Sequence, residues 1–252
     1  MIKKLMISLL FLMLPGFVVA AETTLTDVIT ALETPFKGET ADTERIGDFK
    51  AEFTQESHVA SINRTQQGAG RVYFRFIPGA GDEEAIAQFR WDYRKPDIQE
   101  IISDGRKMWV YLPGNKQVIE SDISGLSEQQ GENPVTFLSG LGNISKDFHV
   151  DWGTEKSDQN GNFLLQLIPH QESQLIQQME VIVNREAVND WLKSHKTGQI
   201  FPILATLVTD QQGNRTFIQF DQIEVNNRLK PEQFIFDKPD DVELVRPEQM
   251  NF

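Results

Sequence analysis

The chain has 252 residues, 24 Lys and Arg against 37 Asp and Glu for a formal charge of −13, and no cysteine. So acidic a surface excludes nucleic acid as a partner and disfavours adsorption on anionic lipid headgroups. Without cysteine there is no disulfide framework, no thiolate nucleophile and no lipidated anchor, so the core alone must hold the fold together.

In chain order, Met1-Ile2-Lys3-Lys4 supplies a short positive region and Leu5 through Leu14 an apolar run ending at Pro15-Gly16. With Val19-Ala20-Ala21 behind it, this reads as a secretory signal peptide cleaved after Ala21, with cleavage after Ala20 as the alternative. Residues 22–252 are then the exported chain, expected to form one β-rich domain. Leu25, Val28, Ile29 and Leu32 recur at helical spacing behind a Thr24 to Asp27 capping-box pattern, which predicts an opening amphipathic helix. Lys37 to Thr43 is polar and reads as a linker.

From Asp48 the period changes to two. Phe49, Ala51 and Phe53 share one face, as do Val72, Phe74 and Phe76, and then Phe89, Trp91 and Tyr93. Strands follow around Ile101-Ile102 and Met108 to Leu112, separated by an Asp104-Gly105 hairpin turn. More are predicted at Gln117 to Glu120, Phe148 to Trp152, Phe163 to Ile168, Met179 to Val183, Ile203 to Val208, Arg215 to Phe220 and Phe234 to Phe236. So many short strands with regular turns predict an antiparallel barrel or curled sheet. Asn133-Pro134, an N-cap with Pro behind it, leads into a short apolar helix holding Phe137, Leu138 and Leu141. Glu186 to His195 is a further helix candidate containing Trp191.

Catalytic patterns are missing. The four histidines, His58, His149, His170 and His195, lack the i, i+4 spacing of a zinc-binding helix. Gly68-Ala69-Gly70 precedes a strand rather than a helix, and no G-x-S-x-G elbow occurs. Glu83-Glu84 and Asp240-Asp241 sit in polar segments and read as solvated loop charges. No metal or cofactor is expected, and the chain reads as a protein without enzymatic activity. Seventeen Phe and four Trp are many for so acidic a chain. Most must be core, and a curled sheet with so aromatic an interior can also enclose a ligand cavity.

From Asp48 to Ser121 the sequence resembles the periplasmic outer-membrane lipoprotein carrier family (LolA). The matching runs are Gly47-Asp48-Phe49-Lys50-Ala51-Glu52-Phe53-Thr54-Gln55, Gly70-Arg71-Val72-Tyr73-Phe74, Phe89-Arg90-Trp91-Asp92-Tyr93-Arg94-Lys95-Pro96 and Ile101 to Tyr111. Weaker similarity continues through Asn133-Pro134 to Leu138, Asp147 to Val150 and Phe234 to Pro239. The resemblance implies a single-domain, half-open antiparallel β-barrel with a helical lid over a hydrophobic cavity. It implies a monomeric periplasmic carrier that takes lipoprotein acyl chains from an inner-membrane ABC-type lipoprotein-releasing transporter and hands them to an outer-membrane receptor. A lipid- or lipoprotein-sensing module of the same fold is the alternative.

By position in the family, Phe74, Phe89, Trp91, Trp109 and Tyr111 are the candidate acyl-chain contacts. Leu25, Val28 and Leu32 on one helix and Phe137, Leu138 and Leu141 on another are the candidate lid. The family's Arg-Pro pair before its Phe-x-Trp is replaced here by Ile77-Pro78, followed by an inserted run from Gly79 to Ala87. Arg75 is therefore the candidate for the lid-holding arginine.

Overall fold

The structure is a computed structural model that describes residues 22–41, 43–78, 86–123, 137–173, 175–196 and 198–245. The signal peptide, residues 79–85 of the inserted run with the carboxylate pair Glu83-Glu84, and the Asn133-Pro134 cap all lie outside the described residues.

Helix α1 (Leu25–Glu33) opens the described chain and is followed by β1 (Asp48–Val59), β2 (Arg64–Ile77) and β3 (Ile86–Lys95). Then come β4 (Gln99–Ser103), β5 (Lys107–Leu112) and β6 (Gln117–Asp122). A 3-10 segment, Phe137–Asn143, runs into the short α2 (Ile144–Asp147). The second half holds β7 (Phe148–Ser157), β8 (Phe163–Pro169), β9 (Gln178–Val183), α3 (Arg185–Ser194), β10 (Ile203–Thr209) and β11 (Arg215–Val225). A 3-10 turn, Pro231–Phe234, and the three-residue β12 (Glu243–Val245) close it.

The twelve strands of the described residues form one open, curled sheet in the order β12-β6-β5-β4-β3-β2-β1-β11-β10-β9-β8-β7. Every neighbouring pair is antiparallel except β12 and β6, which run parallel. The first and last strands in this order do not pair with each other, so the sheet curls without closing.

Local chemistry explains why these elements start and stop where they do. The capping box forms as the sequence predicts: the Asp27 amide donates to Thr24 Oγ1 at 3.2 Å and the Thr24 amide donates to Asp27 Oδ2 at 2.9 Å. The Thr24 hydroxyl, which also donates to Asp27 Oδ2 at 2.7 Å, and then the Thr24 amide hold the Asp27 carboxyl below its ordinary pKa. Two hairpins share one turn device. Asp158 Oδ1 accepts from the amides of Asn160 and Asn162, and Asp210 Oδ1 accepts from those of Gln212 and Asn214. In each the fourth residue is a glycine in the left-handed region, Gly161 and Gly213, where a side chain would be strained.

Strand alternation sorts the side chains onto two faces. On the concave face stand Phe49 and Phe53 of β1, Val72, Phe74 and Phe76 of β2, and Phe89 and Trp91 of β3; Leu165, Val181, Ile218 and Phe220 continue it round the curl. Helices α1 and α3, Phe36 and the Phe137–Asn143 segment cover this face, and their apolar residues join the same core.

The convex face carries a different cover. Beyond β11 the chain crosses the outside of the sheet to reach β6. Its departure is fixed by buried Asp48, whose carboxylate accepts from the amides of Asn227 and Leu229. Phe234 is fully buried on this side, and Phe236 lies 5.9 Å from Trp109 and 6.0 Å from Tyr111 between ring centres. Phe234 to Phe236, predicted as a strand, is instead the end of a 3-10 turn followed by unpaired chain. Pro231 sets the turn, and the strap that follows joins no ladder before β12 among the described residues. The short β12 lies beyond the last strand that the sequence predicts.

Candidate functional site

The concave face is a continuous layer of rings. Phe49 and Phe74 stack with centres 5.1 Å apart and planes 4° from parallel, Phe74 and Phe89 lie 5.4 Å apart, and Phe53 meets Trp91 edge-on at 4.9 Å. Cross-strand register makes these pairs, since Phe49 faces Phe74 and Phe74 faces Phe89. Phe74, Phe89 and Trp91 are no more than 1% exposed. The Trp91 indole N–H, buried in this layer, has no hydrogen-bond partner among the described residues. An unmatched donor in an apolar setting costs about 1–3 kcal/mol.

The cover over these rings consists of helices and turns, not a second sheet. Val28, Ala31 and Leu32 of α1 are buried, with Leu25 partly so, and Phe137, Leu138 and Leu141 are buried beside them. Phe36, in the Thr34–Phe36 3-10 turn after α1, meets Phe76 at 5.0 Å and Phe201 at 6.0 Å; Phe201 in turn lies 4.0 Å from Phe49.

One polar residue joins the parts of the cover. Glu33 is 3% exposed, accepts from the Ser145 amide at 2.7 Å through Oε1, and pairs through Oε2 with Lys37 Nζ at 3.1 Å. It thereby links the end of α1 to the first turn of α2. The sequence pattern missed it because a glutamate at the end of an amphipathic helix looks like an ordinary solvated charge.

Towards the open end of β1 and β2 the concave face turns polar. Tyr93 packs edge-on against Phe53 at 4.9 Å, and its hydroxyl donates to Gln55 Oε1 at 2.7 Å. Burial pushes the Tyr93 phenol up to about 12.

Residues 44–237 match the family model described as outer membrane lipoprotein carrier protein LolA. The chain belongs to this family.

Among relatives, an outer-membrane lipoprotein carrier protein from Hahella chejuensis is 27% identical over 192 residues, 76% of this chain and 82% of its own length. Another from Pseudomonas aeruginosa is 28% identical over 198 residues, 78% of this chain and 80% of its own. The crystal structure of a LolA superfamily protein from Nitrosomonas europaea aligns with 85% of this chain and 99% of its own, at 12% identity and a TM-score of 0.41.

Of the residues placed by likeness to LolA, the structure brings Phe74, Phe89 and Trp91 together beneath Val28, Leu32, Phe137, Leu138 and Leu141. It does not bring Trp109 and Tyr111 there. Trp91 pairs with Ile101 and Ile101 with Val110, so Val110 and Met108 look inward and Trp109 and Tyr111 look outward. Trp109 Nε1 donates to Glu120 Oε2 at 3.0 Å on the convex face. Arg75 also departs from its expected place. It alternates with Phe74 and Phe76 and so stands on the convex side, where Nη1 donates to Gln88 Oε1 at 2.9 Å, away from the helices. In this chain buried Glu33, from the helical side, ties the cover together.

Proposed function

We propose that this protein is a periplasmic carrier of lipoproteins without enzymatic activity. It takes their acyl chains onto the concave aromatic face and moves them from the inner to the outer membrane. The supporting observation is the sealing of one unbroken layer of rings by helical segments joined to the sheet mainly through side chains. Displaced helices would expose Phe74, Phe89 and Trp91 together, and acyl chains would take over the buried contacts. Each methylene sheltered from water contributes about 0.8 kcal/mol, so an acyl chain gains on the order of 10 kcal/mol. An ester or amide carbonyl of the seated cargo would also meet the unpaired Trp91 N–H. In this reading an inner-membrane ABC-type transporter is the donor and an outer-membrane receptor the acceptor, as the resemblance to the family implies.

The test is release. Spheroplasts bearing a labelled lipoprotein and an active lipoprotein-releasing transporter are mixed with the purified protein, and soluble label is counted. The carrier reading expects label to appear with the native protein and to vanish with Phe89→Glu, whose folding is checked by circular dichroism. No soluble label with the native protein sinks it.

A further inference from the structure

The hairpin of β1 and β2 outruns the strand beside it. β2 pairs with β1 from Arg64 opposite Val59 to Arg75 opposite Asp48. Its pairing with β3 begins only at Ala69, opposite Lys95. The second edge of Arg64 to Gly68 therefore has no strand partner among the described residues. An unpaired strand edge is a ready template for another extended chain.

Space is open on both sides of this edge. A hollow of about 750 Å³ is lined by Gln55, Ser57, Gln66, Tyr93, Lys95 and Gln99 among others. A second, of about 570 Å³, lies against Thr54, Glu56, Ala69 and Phe217. The two share Gln55, Gln67, Gly68, Lys95 and Pro96. An added strand needs room for side chains above and below its plane, because they alternate between faces. The first hollow is lined largely by amide- and hydroxyl-bearing side chains, which offer hydrogen-bond partners to a peptide, while the second, with Ala69, Pro96 and Phe217, is the more apolar and offers room for a side chain on the other face. Gly68 keeps the passage wide, since a Cβ there would stand 3.4 Å from the Tyr93 ring.

The cleft also continues the ring layer. Tyr93 belongs to both, with its ring on Phe53 and its hydroxyl on Gln55 at the cleft wall. One concave surface thus runs from apolar to polar at Tyr93, the order of groups along an acylated polypeptide.

We infer that the Arg64 to Gly68 edge and its cleft bind the extended peptide that follows the acylated residue of the cargo, as an added β-strand. This rests on the acyl-carrier reading for the first half of the ligand. Peptide is held by main-chain bonds, so the site is tolerant of cargo sequence, with Gln55, Gln66 and Gln99 as adaptable partners.

The experiment compares three ligands on the purified protein: diacylglyceryl-cysteine amide, the same molecule extended by a polar peptide of about six residues, and that peptide alone at high concentration. Amide hydrogen exchange is followed by NMR across residues 64–68, and affinities are measured by calorimetry. The extended ligand is expected to protect alternate amides in this segment and to bind about tenfold tighter than the bare one, the worth of one or two net hydrogen bonds. Gln66→Trp, filling the cleft, should remove the tenfold gain and leave the bare ligand's affinity unchanged. Equal affinity of the two acylated ligands, with no protection, overturns the inference while leaving the acyl reading intact. Protection by peptide alone, with no binding of the bare acyl ligand, keeps the cleft and removes the acyl reading; neither effect removes both.

Discussion

The two faces of the β3–β5 region carry the same kind of sequence and have opposite surroundings. Phe89-Arg90-Trp91 and Trp109-Val110-Tyr111 are both aromatic pairs at strand spacing. The first pair is buried under helices, while the second is half-buried under the C-terminal strap. The concave cover is made of separate helical pieces tied by Glu33. The convex cover is a single strap tied at Asp48, at Phe234 and through β12. An aromatic strand therefore does not name a binding face; its register and its cover do.

Truncation separates the two faces most sharply. Phe74→Ala, which empties the middle of the ring stack, is expected to cost about 3–5 kcal/mol in urea unfolding and to abolish acyl uptake. Phe234→Ala should cost a similar amount, about 3–5 kcal/mol, yet leave uptake in the surviving folded protein intact. Tyr111→Ala, at a half-exposed site, is expected to cost about 1 kcal/mol with uptake unchanged. If Tyr111→Ala removed uptake, the division of the two faces would be wrong.

The cover itself is tested at Glu33. Glu33→Gln loses a charge-assisted bond to the Ser145 amide and the pair with Lys37, an effect of about 1–3 kcal/mol. Faster exchange of the Ser145 amide and faster uptake of an acyl probe should accompany it. Unchanged exchange would mean that Glu33 does not hold the helices together. Thr24→Ala breaks the capping box of α1 and should lower stability by about 1 kcal/mol, read as a small drop in the thermal midpoint.

At neutral pH the last effect is silent. Burial raises the Tyr93 phenol from 10.0 to about 12, so its neutral form is favoured by the fold. That contribution is fully present below pH 10 and is lost as pH climbs through about 12. Ultraviolet titration should show an ionisation near 12 that is absent in Tyr93→Phe; Tyr93 titrating at 10 would mean that the Phe53–Tyr93 junction is open to water.

Much of the fold was legible in the residues because local rules decided it. The capping box at Thr24, the period-two runs in β1 to β3 and the Asp104-Gly105 turn each depend on neighbours a few positions away. Helix α3 was likewise visible, its start set by the Asn184 side chain accepting from the Glu186 amide. The ring set Phe74, Phe89 and Trp91 could be read, since alternation fixes which residues on a strand share a face. Phe36 and Phe201 went unnoticed because each stands outside a periodic run, beside Pro35 and Pro202. They gain meaning only from meeting Phe76 and Phe49 across long stretches of chain.

The sequence by itself determined the alternation, the turns, the helix starts and the apolar strands, all of which follow from backbone geometry and short-range hydrogen bonds. Tertiary structure alone decided that Trp109 and Tyr111 face outward, that Arg75 leaves the helices to Glu33, and that β2 overhangs β3. The physical reason is register: a strand's own pattern says which residues go together, but only its pairing with the next strand says which way they point.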